Sequence, residues 1–182
     1  MDHAFTKDPP RSTEQILHPE KWHARRDDPV PIAWPDLSGE LPGYKKISEG
    51  QLGELSIKIL LNEQLKNEDA AAVSAAGWGG DRFAVYEKDT NRVLVWITEW
   101  DNEKDRDEFK EAAKALGDDW MIEPSAPRRA GLVRGKLKIS ELGALKLKLA
   151  GVKTGVPENK AIDFAGLGTG TREKVADAGD DR

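Results

Sequence analysis

Apolar positions in the middle of the chain alternate in two runs that predict paired strands. From Arg82 to Lys88, Phe83 and Val85 alternate with Ala84 and Tyr86. From Arg92 to Trp100, Val93, Val95 and Ile97 alternate with Leu94, Trp96, Thr98 and Trp100. The polar Lys88-Asp89-Thr90-Asn91 between them reads as a hairpin turn. The second run is apolar on both faces, which predicts a central strand covered on both sides. Before the hairpin the period changes. Between Gln51 and Lys66, Leu52, Leu55 and Ile59 recur at helical spacing and Leu60 and Leu61 widen the stripe, so an amphipathic helix burying these residues is expected. Asp69 to Ala76 is Ala-rich and helical, with Gly77 placed to end it in left-handed geometry. Gly77-Trp78-Gly79-Gly80-Asp81-Arg82 then reads as a turn. After the hairpin, Asp101 or Asn102 caps a helix to Leu116 that turns Phe109, Ala112, Ala113 and Leu116 inward and closes at Gly117.

The ends are less regular. Leu132 to Ile139 predicts a further strand. In Leu145 to Leu149, Leu alternates with Lys146 and Lys148, which suits an edge strand, with a helix as the alternative. Ser12 and Gln15 have the spacing of a capping box for a short helix, which Pro19 halts or kinks. From Asp27 to Gly43 the chain holds Pro29, Pro31, Pro35 and Pro42, an extended connector anchored by Ile32, Trp34 and Leu37. The expected fold is α+β: an antiparallel sheet led by the hairpin, packed against two or three helices, with an extended N-terminal connector and a loose C-terminal tail. The expected organisation is a capped turn and connector over 1–50, an α+β core over 51–152 and a flexible tail over 153–182.

Composition narrows the function classes. The absence of cysteine excludes disulfides, thiol catalysis and thiolate metal sites. No apolar run reaches the roughly 18 residues needed to cross a bilayer, so no membrane span is expected. The first residues lack a basic stretch followed by an apolar one, so a signal peptide is not expected either. The net charge of −5 is unevenly spread: residues 51–128 carry 10 basic and 17 acidic side chains, residues 129–182 carry 11 and 7. Nine Lys/Arg lie between Arg128 and Lys160. No aromatic residue interleaves with the lysines there, as single-strand stacking would require, so the patch is read as a solvated face and nucleic acid is not the expected partner.

Three blocks in fixed order carry a resemblance. They are Pro10-Arg11-Ser12-Thr13-Glu14-Gln15-Ile16-Leu17-His18-Pro19-Glu20-Lys21, then Gly77-Trp78-Gly79-Gly80-Asp81-Arg82, then Val95-Trp96-Ile97-Thr98-Glu99-Trp100-Asp101 leading to Glu108-Phe109. Together they resemble a prokaryotic family of zinc-metallopeptidase-like proteins, over roughly residues 2–116. In that family an H-E-x-x-H helix lies upstream, binding zinc through two His one turn apart with Glu as general base. Here His3, His18 and His23 are the only histidines and no two stand four apart. The resemblance therefore implies a C-terminal portion of such a protein, a chain that has lost the catalytic half, or a chain whose partner supplies it. It implies zinc in the complete family member and none held by this chain, and a surface or extracytoplasmic location for full-length members.

The candidate site residues follow. Glu14 and His18, four apart, are placed to share a helix face; with Asp81 and Arg82 they are the candidates to border a cleft or face a partner. The blander reading gives His18 a packing role and makes Asp81 and Arg82 a structural network. Gly79, Gly80 and Arg82 form a candidate anion-binding turn, although the order helix, turn, strand is the reverse of a dinucleotide fingerprint. Trp78, Trp96, Trp100 and Phe109 are expected in the core. The expected function is a non-catalytic accessory or protein-interaction domain docking onto an upstream zinc-bearing region or a separate protein. The alternative is a zinc hydrolase completed in trans, with Glu14, His18 and Arg82 beside a partner's metal. An anion or nucleic-acid binder using the basic patch ranks third.

Overall fold

The computed structural model describes residues 9–24, 26–118 and 120–154. Two short helical pieces open it, α1 (Thr13–Leu17) and α2 (Glu20–His23), followed by the connector and strand β1 (Lys45–Gly50). A helical hairpin, α3 (Gly53–Leu65) and α4 (Glu68–Ala75), leads into β2 (Trp78–Lys88) and β3 (Asn91–Trp100). Helix α5 (Glu103–Ala113) runs into a 3-10 turn (Lys114–Leu116), then come β4 (Trp120–Ala126), β5 (Arg129–Arg134) and α6 (Ile139–Ala150). The five strands form one sheet in the order β1-β2-β3-β5-β4, every neighbour antiparallel. This is the α+β class expected, with β3 at the centre.

Alternation along β3 divides the core in two. Val93, Val95 and Ile97 face a layer made of the connector and α6, where Ile32, Leu37, Leu41, Leu145, Leu149 and Val152 are buried. Trp96 and Trp100 face the other layer, where Ile57 and Leu61 of α3, Ala71 and Ala75 of α4, and Phe109, Ala112 and Ala113 of α5 close over them. Trp100 stacks on Phe109 at 4.6 Å between ring centroids, and Trp96 meets Phe109 edge-on at 5.8 Å. Large rings of this kind each bury roughly 150–250 Å², so at about 25 cal/mol per Å² they dominate this layer. The connector lies across the sheet as its apolar anchors predict. Arg129 and Glu99, a buried pair at 2.9 Å, join β5 to β3, and Arg129 also donates to the Val152 carbonyl. The expected basic patch therefore loses one of its members to the interior.

Four expectations need correction. The buried stripe of α3 is Ile57 and Leu61, whereas Leu55 and Ile59 point to solvent. The segment Gly77–Arg82 is not a turn: β2 begins at Trp78, carrying a bulge between Trp78 and Gly80 opposite Glu99 and Trp100. Leu145–Leu149 belongs to a helix, not an edge strand. Leu145 and Leu149, four apart, go inward, Leu147 is 80% exposed, and Lys138 N–H donates to Glu141 Oε2 to cap the helix start. The strand expected over Leu132–Ile139 begins at Arg129 and stops at Arg134. Two edge strands had no sequence signal. β1 is exposed along most of its length, and β4 contains Pro124, which an edge strand tolerates. The described chain ends with Ala33 N–H donating to the Lys153 carbonyl and an Ile32–Thr154 bridge. The tail from residue 155 lies outside the described residues.

Candidate functional site

Ser12 caps α1, its Oγ accepting from Gln15 N–H at 3.2 Å, and Gln15 Oε1 accepts in turn from Arg11 N–H at 2.6 Å. The reciprocal cap predicted from the spacing is thus made, with the return bond one residue earlier than in the standard box. Gln15 Nε2 also donates to the Asp27 carbonyl at 2.6 Å and to Asp28 Oδ1 at 3.0 Å, which pins the start of the connector beneath α1. Arg11 and Arg26 both close on Asp28.

This local folding turns Glu14 inward, where it is 2% exposed. Its Oε1 lies 2.5 Å from Lys21 Nζ, which also donates to Asp101 Oδ2 at 2.8 Å and lies 3.6 Å from Asp27 Oδ2. Burial pushes the Glu14 carboxyl up to about 7, against the pull of the Lys21 hydrogen bond and charge, and the Asp101 and Asp27 charges add to the rise. Burial works against the Lys21 charge, but its bonds to Asp101 and Glu14 outweigh that and hold the ammonium above its ordinary value. Asp105, nearby at the start of α5, is raised by burial and by the Asp101 charge.

His18 does not pair with Glu14 through side chains. Its N–H donates to the Glu14 carbonyl at 2.7 Å, and its Nε2 lies 2.9 Å from Glu54 Oε1 on α3. Its Nδ1 is 3.7 Å from Glu20. Glu54 is itself buried, and its Oε2 has no hydrogen-bond partner among the described residues. Thr13 Oγ1 accepts from Leu55 N–H at 3.3 Å, so α1 lies against the first turn of α3.

Asp81 and Arg82 form no joint network, because neighbours on a strand face opposite ways. Asp81 turns toward the helices and accepts from Leu52 N–H and Gly53 N–H, each at 2.9 Å, from the Trp78 indole at 3.1 Å and from the Trp96 indole at 2.9 Å. Burial pushes this carboxyl above its ordinary value, against those four donors. Arg82 turns to the other layer, donating to Glu49 Oε2 at 3.1 Å and to the Ile32 carbonyl at 3.4 Å, with its guanidinium 5.9 Å from the Trp34 ring centroid. An open groove of about 500 Å³ beside Trp34, Tyr44 and Tyr86 is bordered by Arg82 and Lys46, which share the Glu49 carboxylate.

The turn expected at Gly79 and Gly80 is not formed. Gly79 and Gly80 lie within β2, and the Gly79 carbonyl accepts from Val30 N–H at 2.7 Å. A Cβ on Gly80 would stand 2.6 Å from the Val30 carbonyl oxygen, so the missing side chain there admits the connector.

Among the described residues, one group of three metal-type ligands converges: Glu14, Asp27 and Asp101. Lys21 Nζ sits among these carboxylates and supplies the cation. The donors are oxygen only, and His18 is engaged elsewhere, so the set does not fit the nitrogen- and sulfur-rich preference of zinc. Sequence reasoning missed Lys21, Glu54 and Asp101 as partners. Lys21 lay within the quoted block, but nothing local joins Glu14 to Asp101.

A family model described as a domain of unknown function (DUF8575) matches residues 41–151, and the chain belongs to that family. The match takes in all five strands and α3 to α6; α1, α2 and most of the connector precede it. No curated protein and no solved structure matches the chain.

Proposed function

We propose that this chain is a non-catalytic protein-interaction module that docks through the surface shared by α1 and α3. The observation that carries the reading is the set of large aliphatic side chains left in water there: Ile16 at 64% exposed, Leu17 at 39%, Leu55 at 39% and Ile59 at 56%. Single exposed aliphatics are ordinary, but four on two helices in contact mark a surface suited to association. The candidate catalytic groups support the same reading. Glu14 is held by Lys21, His18 by Glu54, Asp81 by four N–H donors and Arg82 by Glu49. Arg82 also lies on the face of the sheet away from α3, so it does not converge with His18 on one substrate.

The partner in this proposal is the zinc-bearing region of the metallopeptidase-like proteins that the Pro10–Lys21 block resembles together with the Gly77–Arg82 and Val95–Asp101 blocks. The test is titration of that region, prepared separately, with the full chain, recording affinity, zinc content and peptidase activity. Binding by the wild-type chain and its loss in Ile16→Asp and Ile59→Asp, with folding intact, is the expected result. Stoichiometric zinc or peptidase activity in the isolated chain would overturn the non-catalytic reading, and binding unchanged in both variants would overturn the surface.

A further inference from the structure

We propose that α1 and α2 are held by a proton-operated clasp, in which Glu14 carries a proton while the segment is docked and surrenders it when the segment lifts away.

The geometry sets up the charge imbalance. Among the described residues, three carboxylates, Glu14, Asp27 and Asp101, surround the ammonium of Lys21, so full ionisation sets three negative charges against one positive. Asp27 sits on the connector and Asp101 at the end of β3, both reaching solvent. Glu14 on α1 is the buried member and bears ionisation worst. The other charges of the described residues near the cluster do not correct this. Asp105 on α5 adds negative potential. Arg128 is directed to the Asp101 carbonyl and lies 4.0 Å from Glu99, while Arg11 and Arg26 are taken by Asp28. On the other side of α1, His18 lies between Glu54 and Glu20, at 2.9 and 3.7 Å.

The linkage follows from the docked Glu14 titrating at about 7 against 4.5 for a solvated glutamate. Opening releases one proton between those values, so the opening constant rises up to about tenfold per pH unit across that interval and levels off above it. The clasp is fully fastened near pH 4.5 and has lost this contribution by about pH 7. The inference concerns attachment of the segment and stands whether or not the α1–α3 surface binds a partner.

Amide hydrogen exchange of the full chain from pH 5 to 8.5, corrected for intrinsic rates, tests it. Protection across residues 12–23 is expected to fall up to about tenfold per unit toward pH 7 and then level off, while residues 93–98 of β3 do not follow. In Glu14→Gln the slope across 12–23 is expected to vanish. Asp27→Asn, which removes one surplus charge at a half-exposed position, is expected to move the levelling point to lower pH. A flat wild-type profile across 12–23 overturns the proposal, as does a slope retained in Glu14→Gln. If Glu14→Gln lacks protection in β3 and so has not folded, an Asp27→Asn profile superimposed on that of the wild type overturns it instead.

Discussion

The indole N–H of Trp96 donates to Oδ2 of Asp81 across the β2–β3 pair at 2.9 Å, inside the layer between sheet and helices. The same carboxylate accepts the Trp78 indole and the Leu52 and Gly53 amides, which are free donors at the start of α3. A residue on a strand thus performs the office of an N-cap for a helix 28 positions earlier in the chain, and in doing so fixes two tryptophans. The Gly-Trp-Gly-Gly-Asp-Arg block is therefore an architectural element, with its aspartate joining β2, β3 and α3.

Asp81→Ala leaves two indole and two backbone N–H groups without an acceptor. Each unsatisfied buried donor costs about 1–3 kcal/mol. Recovery of the aspartate's own desolvation offsets part of that, so a net loss of roughly 3 kcal/mol is expected. Asp81→Asn keeps one acceptor and is expected to lose about half as much. Urea denaturation of the two variants checks the order, and a fully stable Asp81→Ala would contradict it.

In α3, Ile57 and Ile59 are two residues apart and face opposite environments. Ile57→Ala should cost about 2–4 kcal/mol through the cavity it leaves. Ile59→Ala should lie within about 0.5 kcal/mol of the wild type. Paired thermal melts test this, and equal losses at the two positions would refute the phase of the helix.

How far the fold can be read from the sequence depends on how many faces each element covers. The β2–β3 hairpin was legible because two apolar runs of strand length flank a polar turn, while the start of β2 at Trp78 was hidden by its glycines. Helix α5 was legible because Asn102 caps it, with Oδ1 accepting from Asp105 N–H at 3.0 Å, and Phe109 and Ala113 mark one face. Helix α3 carries two aliphatic i,i+4 pairs, Leu55–Ile59 and Ile57–Leu61, and periodicity cannot choose between two equal stripes. In α6, Leu145, Leu147 and Leu149 satisfy a period of two as well as Leu145 and Leu149 satisfy a helix. The site was legible only in its local half. The Ser12–Gln15 cap follows from spacing, whereas Lys21 meets Asp101 and His18 meets Glu54 only because the tertiary fold brings α1 against α3 and α2 against the end of β3.

Two glycines are expected to respond in opposite directions to alanine. Gly80→Ala drives a methyl group to 2.6 Å from the Val30 carbonyl oxygen, which is backbone and yields only if the connector lifts off. A loss of about 2 kcal/mol or more is expected. Gly143 lies on the solvent face of α6 with nothing within 4 Å of its Cβ position, so Gly143→Ala should stabilise by roughly 0.5–1 kcal/mol. Melting temperatures that move the same way in both variants would contradict these assignments.

The N-terminal segment should also have an acid limit, set by Asp28. Burial pushes this carboxyl up, but the Arg26 and Gln15 hydrogen bonds and the Arg26 and Arg11 charges outweigh it and leave the group below its ordinary value. A depressed carboxyl adds stability that is present above the unfolded value of 3.8 and is lost as pH falls through the lower folded value. Glu14 has the opposite sign, its contribution declining as pH rises from 4.5 to about 7. Attachment of α1 and α2 is therefore strongest in the mildly acidic range and weakens on both sides. In Asp28→Asn the acid limb should flatten while the neutral limb is kept, with a loss of about 1 kcal/mol at pH 5. In Glu14→Gln the reverse is expected. Exchange protection of residues 12–23 measured from pH 3 to 8 in both variants separates the limbs, and an acid limb unchanged by Asp28→Asn would remove Asp28 as its cause.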